Sequence, residues 1–174
     1  MISLEYAISL LQALVASYGS AVLFVTLYFE SFGAPLPGET ALVASGVLAA
    51  TGDLPISAVV AAAWLGAVLG DSTGYVIGRA GGRPLLMRFG PSMGLTPERF
   101  GRVADQMRRH GFVLVLIARF VVVLRQLNGL VAGVVQMPLQ RFVTANALGA
   151  ALWVGTWGLG PYLFVTWLGP PRLH

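Results

Sequence analysis

From Tyr6 to Phe29 the chain carries no charged residue. About 20 apolar residues in a helix cross a hydrocarbon core of about 30 Å, so this run alone is long enough to span a bilayer. Apolar runs recur from Ile56 to Ile77, broken by Asp71, and from Phe142 to Trp157. Of the 174 residues, 56% are hydrophobic and only 10% are charged, where a soluble domain carries about 25%. Too few charges remain to dress a water-facing surface. The expected class is therefore an all-α integral membrane protein with several transmembrane helices. The opening Met1-Ile2-Ser3-Leu4-Glu5 has no basic segment, and no small-residue cleavage site precedes Glu30. The first run, 6–30, is thus expected to stay as a membrane helix and not to leave as a secretory signal.

Composition also removes several chemistries. Cysteine is absent and the two histidines, His110 and His174, lie far apart. No disulfide framework, thiol nucleophile or histidine metal site is expected, and no cofactor. No nucleophile–base pair or phosphate-binding loop stands at recognisable spacing, so an enzyme is the least favoured class. All eleven basic residues are arginine, and seven of them (Arg79, Arg83, Arg88, Arg99, Arg102, Arg108 and Arg109) fall between 79 and 109. Residues 1–78 hold five acids and no arginine. A cluster flanked by apolar segments is what the positive-inside rule places in a cytoplasmic loop, so nucleic acid is not an expected partner.

The runs are interrupted in an informative way. After Glu30 the chain reads Gly33-Ala34-Pro35-Leu36-Pro37-Gly38-Glu39, which no helix continues through. The apolar stretch from Thr40 to Ala50 is too short to cross, and Gly52-Asp53-Leu54-Pro55 closes it. This segment, 33–52, reads as a re-entrant half-helix. The span 56–78 carries Gly66, Gly70, Gly74 and Gly78 at four-residue spacing, a smooth face for close helix packing. Gly81-Gly82 and Pro84 end it and open an arginine-rich loop, 79–110. Within that loop Thr96-Pro97-Glu98 is a helix start. Phe100, Val103, Ala104 and Met107 then mark the apolar face of an amphipathic helix lying on the cytoplasmic membrane surface. From 112 to 135 an apolar run contains Arg119 and Arg125, with Asn128-Gly129 interrupting it. Two readings stand: a second re-entrant hairpin, or one tilted helix. Pro138 and Arg141 introduce the C-terminal span or spans, 139–168, in which Gly158, Gly160 and Pro161 are expected to break the helix after Trp157. The whole chain, 1–174, reads as one membrane domain of two halves. Matching interruptions in two halves are the sequence pointer to a midplane binding site.

Four ionisable residues sit in or beside these apolar segments: Glu39, Asp71, Arg119 and Arg125. Each costs about 2.5–3.5 kcal/mol at membrane depth, on the order of 10 kcal/mol together if unpaired. Net stabilities of about 5–15 kcal/mol leave no room for that. The four must pair or line a wet cavity, and two acids against two arginines balance. On an unbroken helix Arg119 and Arg125 would point about 240° apart, so their convergence requires the hairpin. Arginine presents a planar fork suited to phosphate and keeps its charge. The plain alternative is a set of buried salt bridges that fix the fold. Glu30 lies near a helix end, where interfacial exposure is an equal reading. Asp53 reads as a turn residue, Arg141 as a topology anchor and His110 as a loop residue.

Three motifs, covering roughly 29–157 with the spans between them, resemble the DedA family, the bacterial members of the VTT-domain superfamily. The first is Phe29-Glu30-x-x-Gly33-x-Pro35-x-Pro37-Gly38-Glu39, continued by Gly46, Leu48-Ala49 and Gly52. The second is Gly66-Ala67-x-x-Gly70-Asp71-x-x-Gly74-Tyr75-x-Ile77-Gly78-Arg79-x-x-Gly82. The third is Arg119-Phe120, then Arg125, Ala132-Gly133, Met137, Phe142, Asn146 and Trp153. The third departs from the family pattern, with Val122 and Gly129 standing where the family usually has proline.

The resemblance implies two re-entrant loops meeting within the bilayer of the bacterial cytoplasmic membrane. It also implies a flippase or scramblase for phosphate-bearing lipids such as undecaprenyl phosphate or phospholipids. Some family members depend on the proton or sodium gradient. Carried over by position, Arg119 and Arg125 would hold the lipid phosphate, and Glu39 and Asp71, with Glu30 nearby, would couple it to protons. Pro35, Pro37, Gly38, Gly70, Gly74 and Gly129 would shape the loops and their packing. A proton- or sodium-coupled small-solute transporter and a non-transporting membrane scaffold stay open, as does self-association into a homo-oligomer.

Overall fold

A computed structural model describes residues 18–89 and 97–169. The first part of the 6–30 run and the capping Thr96 lie outside the described residues, as do the side chains of Arg83, Arg99, Phe100 and Val103. The described chain is helical, with no strand among the described residues. The helices are α1 (Ser20–Ser31), α2 (Gly38–Thr51), α3 (Ile56–Phe89), α4 (Pro97–Ala118), α5 (Val122–Val134), α6 (Leu139–Val154) and α7 (Gly160–Leu168). Among the described residues two stretches are long and apolar enough to cross a membrane, Ile56–Gly82 over 27 residues and Leu139–Leu168 over 30.

The breaks follow from local chemistry. Pro35 and Pro37 bound the extended segment between α1 and α2, and Pro37 offers no side-chain cap to the new helix. Helix α2 ends in a Schellman motif. Gly52 takes a left-handed φ of 92°, its N–H donates to the Ala49 carbonyl at 3.3 Å, and the Asp53 N–H donates to Leu48 at 3.0 Å. Pro55 then starts a new direction. Helix α3 kinks at Gly82, with φ 48° and ψ −142°, where the apolar span gives way to the arginine-rich stretch.

Helix α4 bends at His110, with φ −127° and ψ 20°, so His110 is a kink within a helix and not a loop residue. Before the kink Ala104 and Met107 are buried while Arg102, Asp105, Gln106, Arg108 and Arg109 are exposed. After it Phe112, Val113 and Ile117 are exposed apolar residues. Helix α4 stops at Ala118, and α5 begins at Val122 after a turn over Arg119–Val121. The two arms fold back on each other: Asn128 Nδ2 donates to the Val115 carbonyl at 3.0 Å. In one continuous helix those residues would lie about 20 Å apart along the axis. The single tilted helix over 112–135 is therefore set aside. The chain turns without a proline at Val122.

The C-terminal span corrects an expectation. Gly158, Gly160 and Pro161 do not break the helix. A π turn over Gly155–Leu159 takes up the irregularity and the helix resumes to Leu168 with Pro161 in its first turn. An extra residue per turn removes the clash that proline makes with a regular α-helical carbonyl.

The chain divides into two compact units. Among the described residues the first comprises 18–30, 34–67 and 151–169, the second 31–33, 68–89 and 97–150. In the first, Leu23, Leu27, Leu42, Val59 and Trp153 form the core, and α2 packs on the π turn and on α7. A Cβ at Gly46 would strike the Gly158 carbonyl oxygen, so backbone meets backbone there. In the second, Tyr75, Val115, Met137, Phe142 and Ala145 form the core. The Tyr75 ring stacks on Phe142 at 4.5 Å, and its hydroxyl donates to the Met137 carbonyl at 2.5 Å.

Candidate functional site

The site is built in the second unit, where α3 passes the turn between α4 and α5. Asp71 is fully buried and Arg119 is 1% exposed. They form a salt bridge through Arg119 Nη2 and Asp71 Oδ2. The same Nη2 donates to Asn146 Oδ1 at 2.5 Å, and Asn146 Nδ2 donates in turn to the Val68 carbonyl at 3.2 Å. Asn146 thus ties the guanidinium to the backbone of the helix that carries Asp71. The turn after Ala118 frees Arg119 from a helical direction, and the aliphatic stem of Arg119 lies over Gly149.

Close approach of α3 and α5 sets this geometry. A Cβ at Gly129 would collide with the Asp71 carbonyl oxygen, and one at Gly133 with that of Tyr75. From the other side, a Cβ at Gly78 would collide with the Leu130 carbonyl and one at Gly74 would touch the Leu130 nitrogen at 3.4 Å. Gly74 and Gly78 of α3 therefore face Gly129 and Gly133 of α5, whereas Gly66 meets the backbone of α1 at Phe24. Gly70 is buried in the same stretch. Small residues let backbones meet, which is the packing that apolar solvent leaves available.

Much of the pair's hydrogen-bonding capacity is unused. Arg119 Nε and Nη1, Asp71 Oδ1 and Asn128 Oδ1 are buried without a hydrogen-bond partner among the described residues. A guanidinium has five N–H donors in a rigid fork, so three are unspent here. Buried polar groups are nearly always satisfied, and leaving one unmet costs about 1–3 kcal/mol. Arg125 is 3% exposed and stands one turn before Gly129 on α5, where the backbone meets the Asp71 carbonyl. The turn thus brings Arg119 onto the Asp71 carboxylate, with the buried Arg125 following on α5.

The remaining site residues named from the sequence lie in the first unit. Glu30 is buried at 3% exposure, and its carboxylate lies against Gly38 at the start of α2, where any Cβ would displace it. A helix N-terminus favours negative charge, and Glu30 stands where Pro37 supplies no cap. It is not an exposed interfacial residue. Glu39 is half-buried in the first turn of α2. Pro35 is exposed and Pro37 half-buried in the connecting segment. Asp53 is exposed and accepts a hydrogen bond from Thr51 Oγ1 at 2.6 Å. Arg141 is exposed on α6. Sequence reasoning passed over Asn128 and Asn146 as site residues. The available signal was an asparagine standing alone inside an apolar run.

The VTT domain family model matches residues 36–163, which contain every element of the buried site. The chain belongs to the DedA family of VTT-domain membrane proteins. It is 39% identical to an uncharacterized membrane protein of Synechocystis sp., over 85% of this chain and 68% of that protein. It is 33% identical to the protein DedA of Escherichia coli, over 90% and 74%. With the membrane protein YbfM of Bacillus subtilis it shares 31% identity over 83% and 89%. No solved structure matches the chain. As in these relatives named as membrane proteins, the apolar helices of this DedA-family member are to be read in a bilayer. Its exposed Leu148, Leu152, Leu163 and Phe164 then face lipid.

Proposed function

We propose that this DedA-family protein moves phosphate-bearing lipids across the bacterial cytoplasmic membrane, with no covalent step. The observation that carries the reading is the buried Arg119. It holds its counter-ion through one nitrogen and keeps Nε and Nη1 unspent among the described residues. A guanidinium so placed is preorganised for a second anion, and phosphate accepts several donors at once. Asp71 neutralises the site when it is empty. With Glu39 it supplies the acids through which a proton or sodium gradient would act.

In this reading the breaks after α1 and after α4 are the tips of two re-entrant segments, which carry non-helical backbone to membrane depth. The stretch of α4 before His110 lies on the cytoplasmic surface, its arginines toward anionic headgroups. The chemistry of the pair does not choose between undecaprenyl phosphate and phospholipids.

The test is reconstitution in liposomes with lipids labelled on different headgroups, measuring loss of inner-leaflet protection. Wild type is compared with Arg119→Lys and Arg125→Ala, each first shown to be folded. Wild-type exchange with loss in Arg119→Lys supports the reading, since lysine keeps the charge and loses the fork. No exchange of any lipid, with or without an imposed proton gradient, rejects it in favour of gradient-coupled solute transport. Full exchange by Arg119→Lys removes the reason for assigning phosphate to this arginine.

A further inference from the structure

A second feature lies apart from the buried pair. A cavity of about 600 Å³ opens where the kink of α4 meets the turn between α5 and α6. Its lining joins the buried Met107 and Met137 and the exposed Phe112 to Arg108, Arg109, His110 and Arg141. None of the residues lining it is acidic. Arg108 is engaged by Asp105 on the helix surface. Arg109 and Arg141, both exposed, are the guanidinium groups on two different helices that face one opening.

The position of this cavity is as informative as its charge. On α4 the exposed residues change at His110 from Arg108 and Arg109 to Phe112, Val113 and Ile117. On α6 the exposed first-turn residues Leu139, Gln140 and Arg141 are followed by Val143, Thr144, Leu148 and Leu152. On both helices the exposed charges end at the level of the cavity, which is the level of headgroup phosphates when apolar faces sit in hydrocarbon.

The turn that forms one wall adds a third observation. Helix α5 ends in the same Schellman bonds as α2, with Gln136 N–H to Gly133 O at 2.9 Å and Met137 N–H to Ala132 O at 3.0 Å. At the position where α2 has Gly52, this turn has Gln136 at φ 56°. Glycine serves this position without strain. Gln136 is among the residues lining the cavity, and strain of this kind clusters at ligand sites.

We propose that this cavity is a docking site for the headgroup of an acidic phospholipid from the leaflet on the arginine-rich side. The phosphate lies between Arg109 and Arg141, and the first acyl carbons run over Phe112 and Met137. A net-negative headgroup is selected because the lining offers no carboxylate to receive the ammonium of a zwitterionic one. The site does not rest on the transport reading and is tested without it.

Full-length protein in zwitterionic nanodiscs is titrated with phosphatidylglycerol or phosphatidylcholine, and retained lipid is counted by native mass spectrometry. Wild type is expected to hold one phosphatidylglycerol at least about tenfold more tightly than phosphatidylcholine. Arg109→Gln/Arg141→Gln is expected to abolish that preference. The control pair Arg88→Gln/Arg102→Gln, which removes the same charge from exposed sites outside the cavity, keeps it. Both pairs alter exposed side chains, and their melting curves are compared with wild type. Equal loss in the two pairs overturns the proposal in favour of diffuse surface attraction. So does the absence of any headgroup preference. Displacement of phosphatidylglycerol by millimolar inorganic phosphate overturns the lipid assignment and leaves a free-anion site.

Discussion

Replacing Asp71 by asparagine leaves Arg119 Nη2 an acceptor but takes the counter-charge from a guanidinium that is 1% exposed. Breaking a buried pair from one side costs about 3–5 kcal/mol. A single ionised residue at membrane depth costs about 2.5–3.5 kcal/mol on insertion scales. Both routes put Asp71→Asn near 3 kcal/mol, a large part of a net stability of about 5–15 kcal/mol. The paired variant Asp71→Asn/Arg119→Gln removes both charges together and is expected to regain about 2 kcal/mol or more of the single-variant loss. Reversible unfolding in mixed micelles, followed by the helical circular dichroism signal, measures both terms as a double-mutant cycle. The lipid-exchange assay runs on the same preparations. A loss of less than about 1 kcal/mol for Asp71→Asn, the value of an exposed pair, would refute the claim that the pair is desolvated. A paired variant that is stable and exchanges lipid like wild type would make the pair a structural tie only.

Other outcomes follow from the packing. Gly129→Ala drives a methyl group into the Asp71 carbonyl and should cost about 1–3 kcal/mol in the same unfolding assay. Gly101→Ala, exposed on α4 with nothing within 4 Å of its Cβ position, should stabilise by about 0.5–1 kcal/mol. Tyr75→Phe removes the shorter of two hydrogen bonds to the Met137 carbonyl, the other coming from Arg79 Nη1 at 3.5 Å, and should lower stability by about 0.5–1.5 kcal/mol, with the melting temperature falling accordingly. Gln136→Gly relieves a left-handed glutamine and should raise stability by about 0.5–1 kcal/mol. Asn146→Leu withdraws the second acceptor from Arg119 and should impair lipid exchange even where thermal melting shows a folded protein.

Much of this protein is legible in the sequence, because a bilayer restricts the backbone so severely. Apolar length marks the spans, and Pro35, Pro37 and Gly52 mark the ends of α2 because each alters backbone geometry locally. The arginine cluster marks one face by its sign alone. Asp71, Arg119 and Arg125 stand out because charge in an apolar run has no cheap explanation. Where the same local signals were read as absolute, they failed. Gly158, Gly160 and Pro161 suggested a stop, yet the chain continues through a π turn. Conversely, the chain turns over Arg119–Val121 without the proline that the family usually places there.

Tertiary structure alone decided the partners. That Asp71 meets Arg119, and that Asn146 supplies a second acceptor, depends on α3, α5 and α6 being fixed side by side. Gly129 looked like an interruption after Asn128, and it proves to be the point where one backbone rests on another. The first unit joins 34–67 to the distant stretch 151–169, which no spacing or period foretells. The sequence by itself settled class, family and candidate charges, since propensity, hydropathy and ionisation belong to single residues or short windows. Pairing and close approach belong to surfaces brought together from distant parts of the chain, and those exist only once the helices have packed.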